Sequence, residues 1–191
     1  MGEKKQDHRV RFTKLVIRDS FIALLKAKPL SKVTVKEICE GAGINRATFY
    51  AHYADPFDLL HQIEEEFVEE VTLYIGNGAG GELTGDISPD AVRKILEYVQ
   101  NNAEICDILL NSDGDLRFLQ EITAVIGRQF VASWTASKPV KKAEAEYIFQ
   151  YSASGSVGMI QKWLEGGMKH TPEELAGLML RMTQRGYSDF F

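Results

Sequence analysis

Residues 34–53 read TVKEICEGAGINRATFYAHY, and this stretch decides the fold. It describes two short helices joined by a tight turn. Thr34 is placed to cap the first helix, and Glu37 stands three residues later, the spacing of a capping box. Val35, Ile38, Cys39 and Ala42 then recur at helical spacing. Gly41 and Gly43 punctuate the end of that helix, since glycine enters left-handed backbone without steric cost. Ile44 plugs the turn. Asn45 can cap a second helix from Arg46 to about Tyr53, with Phe49 and Tyr53 on its inner face. Arg46, Ala47, Thr48, Tyr50 and His52 fall on its outer face. Such a helix, laid in a major groove, carries side chains to phosphates and base edges.

The run TVKEICEGAGINRATFYAHYADPFDLL, residues 34–60, resembles the DNA-binding segment of TetR-type (TetR/AcrR) transcriptional regulators. Thr34, Val35, Ile38, Ala42, Gly43, Ile44, Thr48, Phe49, Tyr50, His52, Tyr53 and Leu59 carry the match, and the resemblance covers about the first 75 residues. It implies a helix-turn-helix that binds palindromic double-stranded DNA as a homodimer. It implies phosphate contacts from Thr34, Lys36, Tyr50 and His52, with Arg9 or Arg11 as additions. Base reading falls to the start of the second motif helix, Asn45, Arg46 and Thr48. Arg46 can donate two bonds to a guanine or bind a phosphate, and the sequence leaves both open. The chain departs from the family at Pro56, where a phosphate-binding lysine is usual, so that contact is not carried over. It departs again at Ala51, which offers only a methyl group where a larger side chain is common.

Charge is divided along the chain in a way that fits this reading. Residues 1–53 hold 11 Lys and Arg against 5 Asp and Glu, leaving 11 of the 22 bases and 22 of the 27 acids to residues 54–191. A basic head on an acidic body presents one end to a polyanion and turns the other away. The overall net charge of −5 hides this asymmetry. Two cysteines, Cys39 and Cys106, make no disulfide framework and read as small core residues. The N-terminal MGEKKQDHRVRF has no apolar signal core, and no run of about 20 apolar residues occurs, so a cytoplasmic protein that neither enters nor crosses a membrane is expected.

No segment alternates like a strand, so the expected fold is all-α, with about nine helices. A three-helix helix-turn-helix domain, residues 1–54, stands before a helical bundle, residues 55–191, for ligand binding and dimerisation. The first helix is expected from about Asp7 to Ala27, with Val10, Leu15, Ile17, Phe21, Ile22, Leu24 and Leu25 as its buried side and a basic beginning from Lys4, Lys5, Arg9, Arg11, Lys14 and Arg18. Asp55-Pro56 opens a helix to about Ile75. Its Glu64, Glu65, Glu66, Glu69 and Glu70, with His61, read as a solvated face rather than as metal ligands. A glycine-rich loop follows at 76–81, without the Gly-Lys-Ser/Thr ending of a phosphate loop. Further helices are expected at 88–100, 103–110, 115–137, 141–167 and from Thr171 onward, the last opened by a capping box with Glu174.

The stretch GSVGMIQKWLEGGM, residues 155–168, followed by Thr-Pro-Glu-Glu-Leu, resembles the body of the TetR subgroup typified by DhaS, linked to dihydroxyacetone kinase operons. Catalysis has little support: none of His8, His52, His61 and His170 has an obvious nucleophile or paired carboxylate in a recognisable arrangement, so no enzymatic activity, cofactor or metal is expected. By resemblance, an inducer pocket between body helices would draw on Tyr98, Phe130, Trp134, Tyr147 and Tyr151. The function expected is a ligand-responsive homodimeric repressor. The alternative is a co-activator whose body docks a partner protein.

One segment of the body is unusual. From Tyr147 to Gln161 no residue is charged. A helix covering one core needs a single apolar stripe, and this one is uncharged all round. It is expected to be buried on two sides. Phe149, Ala153, Ile160 and Trp163 would face the chain's own core, and Tyr151, Ser154, Gly155 and Gly158 a second copy. Leu175, Leu178, Met179 and Met182 of the last helix would complete the contact, as TetR-type dimers join through their final two long helices.

Overall fold

Side-chain caps fix most of the helix starts. The computed structural model of the chain describes residues 2–77, 87–111 and 116–187, and the statements of structure below refer to these. Among them, nine α-helices and one 3-10 turn account for all regular structure. They are α1 (Gly2–Ala27), the 3-10 turn Leu30–Lys32, α2 (Val35–Ala42), α3 (Arg46–Tyr50), α4 (Pro56–Asn77), α5 (Pro89–Asn101), α6 (Ala103–Asn111), α7 (Leu116–Ser137), α8 (Lys142–Glu165) and α9 (Pro172–Tyr187). At α4 the Asp55 carboxylate accepts from the Phe57 and Asp58 amides at 2.7 and 2.9 Å. At α5 the Ser88 hydroxyl accepts from the Ala91 amide at 3.1 Å. At α9 Thr171 and Glu174 exchange bonds at 2.9 and 3.2 Å, the expected capping box. Each cap satisfies helix amides that would otherwise lack an intrahelical partner.

Two boundaries differ from those read in the sequence. α1 begins at Gly2 rather than near Asp7. The second motif helix ends at Tyr50, with Ala51 as its C-cap, rather than near Tyr53. Most of the glycine-rich loop and the residues just before α7 lie outside the described residues.

The chain forms two compact units, residues 1–65 and 66–191. The expected division between 54 and 55 falls about ten residues earlier, because the first turns of α4, with Leu59 and Ile63 buried, belong to the first unit. In that unit Ile17 and Phe21 of α1, Ile38 of α2, Phe49 of α3 and Leu59 of α4 are wholly buried. Val10 and Leu15, expected on the buried side of α1, are exposed. The buried stripe is confined to Ile17, Phe21 and Ile22, where α1 packs on α2. That packing is close: the Ser20 hydroxyl donates to the Ile38 carbonyl at 2.9 Å, and a methyl group at Gly41 would lie 2.3 Å from the same hydroxyl oxygen.

In the second unit α7 packs on α8, α5 on α9, and α8 on both α6 and α9. Leu96, Val99, Cys106, Phe118, Phe130, Trp134, Trp163 and Met179 form its core. The Gln161 side-chain amide donates to the Leu110 carbonyl at 2.6 Å, tying α8 to the end of α6. The Trp163 indole donates to the His170 carbonyl at 2.9 Å and so holds the turn between α8 and α9. α7 and α8 approach closely at Gly127, where an added methyl would come within 2.7 Å of the Phe149 ring. No described helix is long and apolar enough to cross a membrane.

Candidate functional site

The α2–α3 pair is built as its sequence suggests. Thr34 accepts from the Glu37 amide at 3.3 Å, and Glu37 accepts from the Thr34 amide at 3.1 Å, closing the capping box. Gly43 ends α2 at φ 66°, a left-handed conformation that costs glycine little. The Asn45 side-chain oxygen accepts from the Thr48 amide at 2.8 Å and from its hydroxyl at 3.0 Å. Phe49 is buried beneath α3, in edge contact with Tyr50 and tilted against Tyr53. The Lys14 ammonium lies 5.9 Å above the Tyr53 ring.

A further clamp was not legible in the sequence. The Lys28 ammonium, just past α1, binds the Glu37 carboxylate at 2.6 Å. This bond and the one from the Thr34 hydroxyl, at 2.7 Å, hold the Glu37 carboxyl down to about 2 from an ordinary value of 4.5. A carboxyl depressed on folding contributes stability above its unfolded value, and that contribution fades as pH falls from about 4.5 toward 2. Glu37→Gln should therefore lower the melting temperature at neutral pH, and the gap to the wild type should close on acidification through that window. Melting curves of both proteins across the pH range check this; a gap independent of pH would show the charge to be irrelevant.

The expected DNA-contacting residues separate into two groups. Arg46 and Ala47 are exposed, and Tyr50 is 57% exposed despite its aromatic ring. Lys36 is exposed and meets Glu40 at 3.7 Å, an ion pair in water that holds the ammonium weakly. Arg9 and Arg11 are exposed on α1, and His52 is half-buried. Thr34, Asn45 and Thr48, by contrast, spend oxygen atoms on the caps. The Asn45 amide nitrogen is the part of that side chain outside the cap, and Thr48 is half-buried. Cys39 is buried, and loss of hydration raises its thiol pKa, as suits a core residue.

The second unit holds a partly open cavity of about 440 Å³. Phe130 and Trp134 line it. Tyr98 does not line it; its ring packs on Phe67 and Tyr74 at 5.6 and 6.4 Å. Tyr147 and Tyr151 are 80% and 75% exposed, on the outer face of α8, so the pocket assignment for both is corrected. The helical period places them there, opposite Ile148, which is buried, and Phe149, which lines the cavity. A signal for this lining was present in α7 and just past its end, where Ile122, Ile126, Phe130, Trp134 and then Lys138 recur every four residues.

The α8 face expected to meet a partner is exposed in the single chain. Tyr147, Gln150, Tyr151, Ser154, Gly155 and Gly158 are all solvent-facing, and no atom lies within 4 Å of a methyl placed on Gly155 or Gly158. On the opposite side Trp163 is buried, while Phe149, Ala153 and Ile160 are half-buried. In α9, Leu178 and Met182 are 40% and 60% exposed. Leu175 and Met179 are buried in their own unit, so they belong to the core rather than to the exposed face. The reason is tertiary: α9 packs on α5 and α8, and that packing covers Leu175 and Met179 while leaving Leu178 and Met182 open. Among the described residues no cluster of His, Cys, Asp and Glu gathers that could hold a metal ion.

Comparison with known proteins matches both units. Residues 17–63 fit the family model "Bacterial regulatory proteins, tetR family", and residues 88–185 fit "Transcriptional regulator C-terminal region". The HTH-type transcriptional regulator YxbF of Bacillus subtilis (strain 168) is 24% identical over 162 residues, 84% of this chain but only 42% of YxbF, so the chain spans less than half the length of that relative. A TetR transcriptional regulator from Streptococcus agalactiae 2603V is 25% identical, with a TM-score of 0.62 over 95% of this chain and 98% of that one. The dihydroxyacetone kinase operon activator DhaS shares the fold at 17% identity, with a TM-score of 0.65 over 93% of this chain and 97% of that one. With the helix-turn-helix geometry in the first unit and family matches in both, the chain belongs to the TetR family of DNA-binding transcriptional regulators.

Proposed function

We propose that the protein is a homodimeric repressor that binds a palindromic operator through α3 and is released by a small molecule bound in its second unit. The observation that carries this reading is the pairing of an exposed Arg46 and Tyr50 with a capped and clamped α2–α3 turn. Rigid caps hold the side chains in place, so little ordering entropy is spent when the helix enters a groove. Lys36, Tyr50, His52 and the α1 arginines supply phosphate contacts, with Thr34 as a neighbour whose hydroxyl already serves the cap. Arg46, with the Asn45 amide and Thr48, reads bases. A regulator of this kind works where the chromosome lies, in the cytoplasm.

Two copies join through the uncharged face of α8, with Tyr147, Tyr151, Ser154, Gly155 and Gly158, and through Leu178 and Met182 of α9. An open groove of about 880 Å³ between α7 and α8, rimmed by Gln150 and Ser154, lies beside that face. The dimer must hold its two recognition helices about 34–36 Å apart, or a multiple of that, to meet successive major grooves. A ligand acts by favouring another spacing, and it does so only to the extent that it binds the two arrangements differently.

The test begins with genomic footprinting to obtain the operator. Lys36→Ala and Tyr50→Ala should weaken all sequences alike, and loss of a Lys36–phosphate contact should reduce the salt slope by about one. Arg46→Ala should cost about 1–3 kcal/mol and relax preference at one base pair if its contact is bidentate. Binding isotherms on matched and mismatched operators at several salt concentrations read all three; unchanged binding throughout would sink the assignment. A reporter on the bound promoter then gives the sign. Expression should rise when the regulator is deleted, whereas a fall would favour a co-activator that docks a partner protein.

A further inference from the structure

The cavity of the second unit has a shape and a charge pattern that specify a ligand class. It follows one face of α7 through Leu119, Ile122, Ile126, Phe130, Trp134 and Lys138. From Leu119 to Lys138, the residue after α7, that row runs about 28 Å at 1.5 Å per residue. An apolar stripe of that length along the cavity wall suits an extended hydrocarbon chain better than a compact ring system. The cavity walls are otherwise apolar or weakly polar, and two of the hydroxyls on them are already engaged. Ser152 donates to the Ile148 carbonyl at 2.8 Å and Thr183 to the Met179 carbonyl at 2.9 Å.

Lys138 is the one charged residue among the described lining residues, and it stands at the end of the α7 stripe. Its ammonium lies 5.8 Å from the centre of the Trp134 ring, another lining residue. An apolar wall with one placed cation is complementary to an amphiphile with a single anionic end. We propose that this cavity holds an unbranched acyl chain whose anionic end is bound by Lys138. The proposal rests on the reading of the second unit as a ligand-binding body and gives that ligand its chemistry. A free carboxylate and a coenzyme A thioester share this chemistry, and the experiment separates them.

Calorimetric titration of the full chain with octanoate, laurate and palmitate, their coenzyme A thioesters, dodecanol and cholate supplies the test. Carboxylate affinity should rise about fourfold per methylene, the equivalent of about 0.8 kcal/mol, until the cavity is filled. Laurate should bind at least tenfold more tightly than dodecanol, and cholate, an anion with fused rings, should bind far more weakly than laurate. Lys138→Met keeps the apolar stem over Trp134 and removes the charge. It should erase the preference for laurate over dodecanol while leaving dodecanol binding at its wild-type value. If the thioesters bind more tightly than the acids and lose that advantage in Lys138→Met, the anion is that of the coenzyme; otherwise it is the free carboxylate.

The proposal is overturned if neither acids nor thioesters bind, if cholate matches laurate, or if the preference for laurate survives in Lys138→Met. Operator binding followed in the same titrations keeps the two readings apart. Acyl chains that bind in the expected pattern without loosening the operator would refute ligand control and leave the cavity assignment standing. Release by another compound, with no acyl chain bound, would do the reverse.

Discussion

Gly158→Leu is expected to convert the dimer to a monomer at concentrations where the wild type is paired, and to lower operator affinity with it. Within one chain the substitution meets open space, since no atom lies within 4 Å of a methyl at this position. Leucine is also the better helix former, by roughly 0.8 kcal/mol or more. The single chain should therefore keep its full helical content. In a dimer joined through α8 the added side chain enters a face whose small residues allow backbones to approach. Overpacking costs about 1–3 kcal/mol at each site, and two-fold symmetry presents the substitution twice. The loss of about 2–6 kcal/mol corresponds to a thirtyfold or larger rise in the dimer dissociation constant. Operator affinity should fall further than any single phosphate contact explains, because two linked heads gain 10²–10⁴-fold from joint attachment. Sedimentation velocity across a concentration series and circular dichroism of both proteins decide. A mutant dimer as tight as the wild type would place the interface elsewhere.

Phe49→Ala is expected to abolish operator binding although Phe49 itself is buried and does not meet DNA. Phe49 is wholly buried under α3, and its ring contacts those of Tyr50 and Tyr53. Removing a buried phenylalanine costs about 3–5 kcal/mol. That is a large share of what a unit of 65 residues has, since small units bury a smaller fraction of their surface. α3 has only five residues and cannot remain helical in isolation. With its anchor gone, Arg46 and Tyr50 lose their fixed placement. The second unit has its own core, so dimerisation and the thermal stabilisation given by a body ligand should persist. Loss of dimerisation in Phe49→Ala would mean that the two units do not keep separate cores. Operator binding within tenfold of the wild type would mean that Phe49 does not position α3.

The sequence by itself determined the features that depend on neighbours in the chain. The capping boxes at Thr34–Glu37 and Thr171–Glu174, the Asp55 and Ser88 caps and the left-handed Gly43 are contacts over two to five residues. Their partners are set by helical geometry, so their residue types announce them. The exposed Arg46, Ala47 and Tyr50 of α3 were legible for the same reason.

Tertiary packing decided what depends on which neighbour lies across a helix. Tyr147 and Tyr151 read as aromatic pocket residues, yet the rotation of α8 that brings Phe149 to the cavity turns them outward by the helical period. Leu175 and Met179 looked equivalent to Leu178 and Met182 until the packing of α9 on α5 and α8 buried the first pair and left the second exposed. The Lys28–Glu37 clamp and the Gly127–Phe149 contact join residues nine and twenty-two positions apart, separations that no helical repeat encodes. The cavity was hidden because a void is made by several helices together. Its one charged lining residue, Lys138, acquired meaning only when the end of the α7 stripe was seen to border that void.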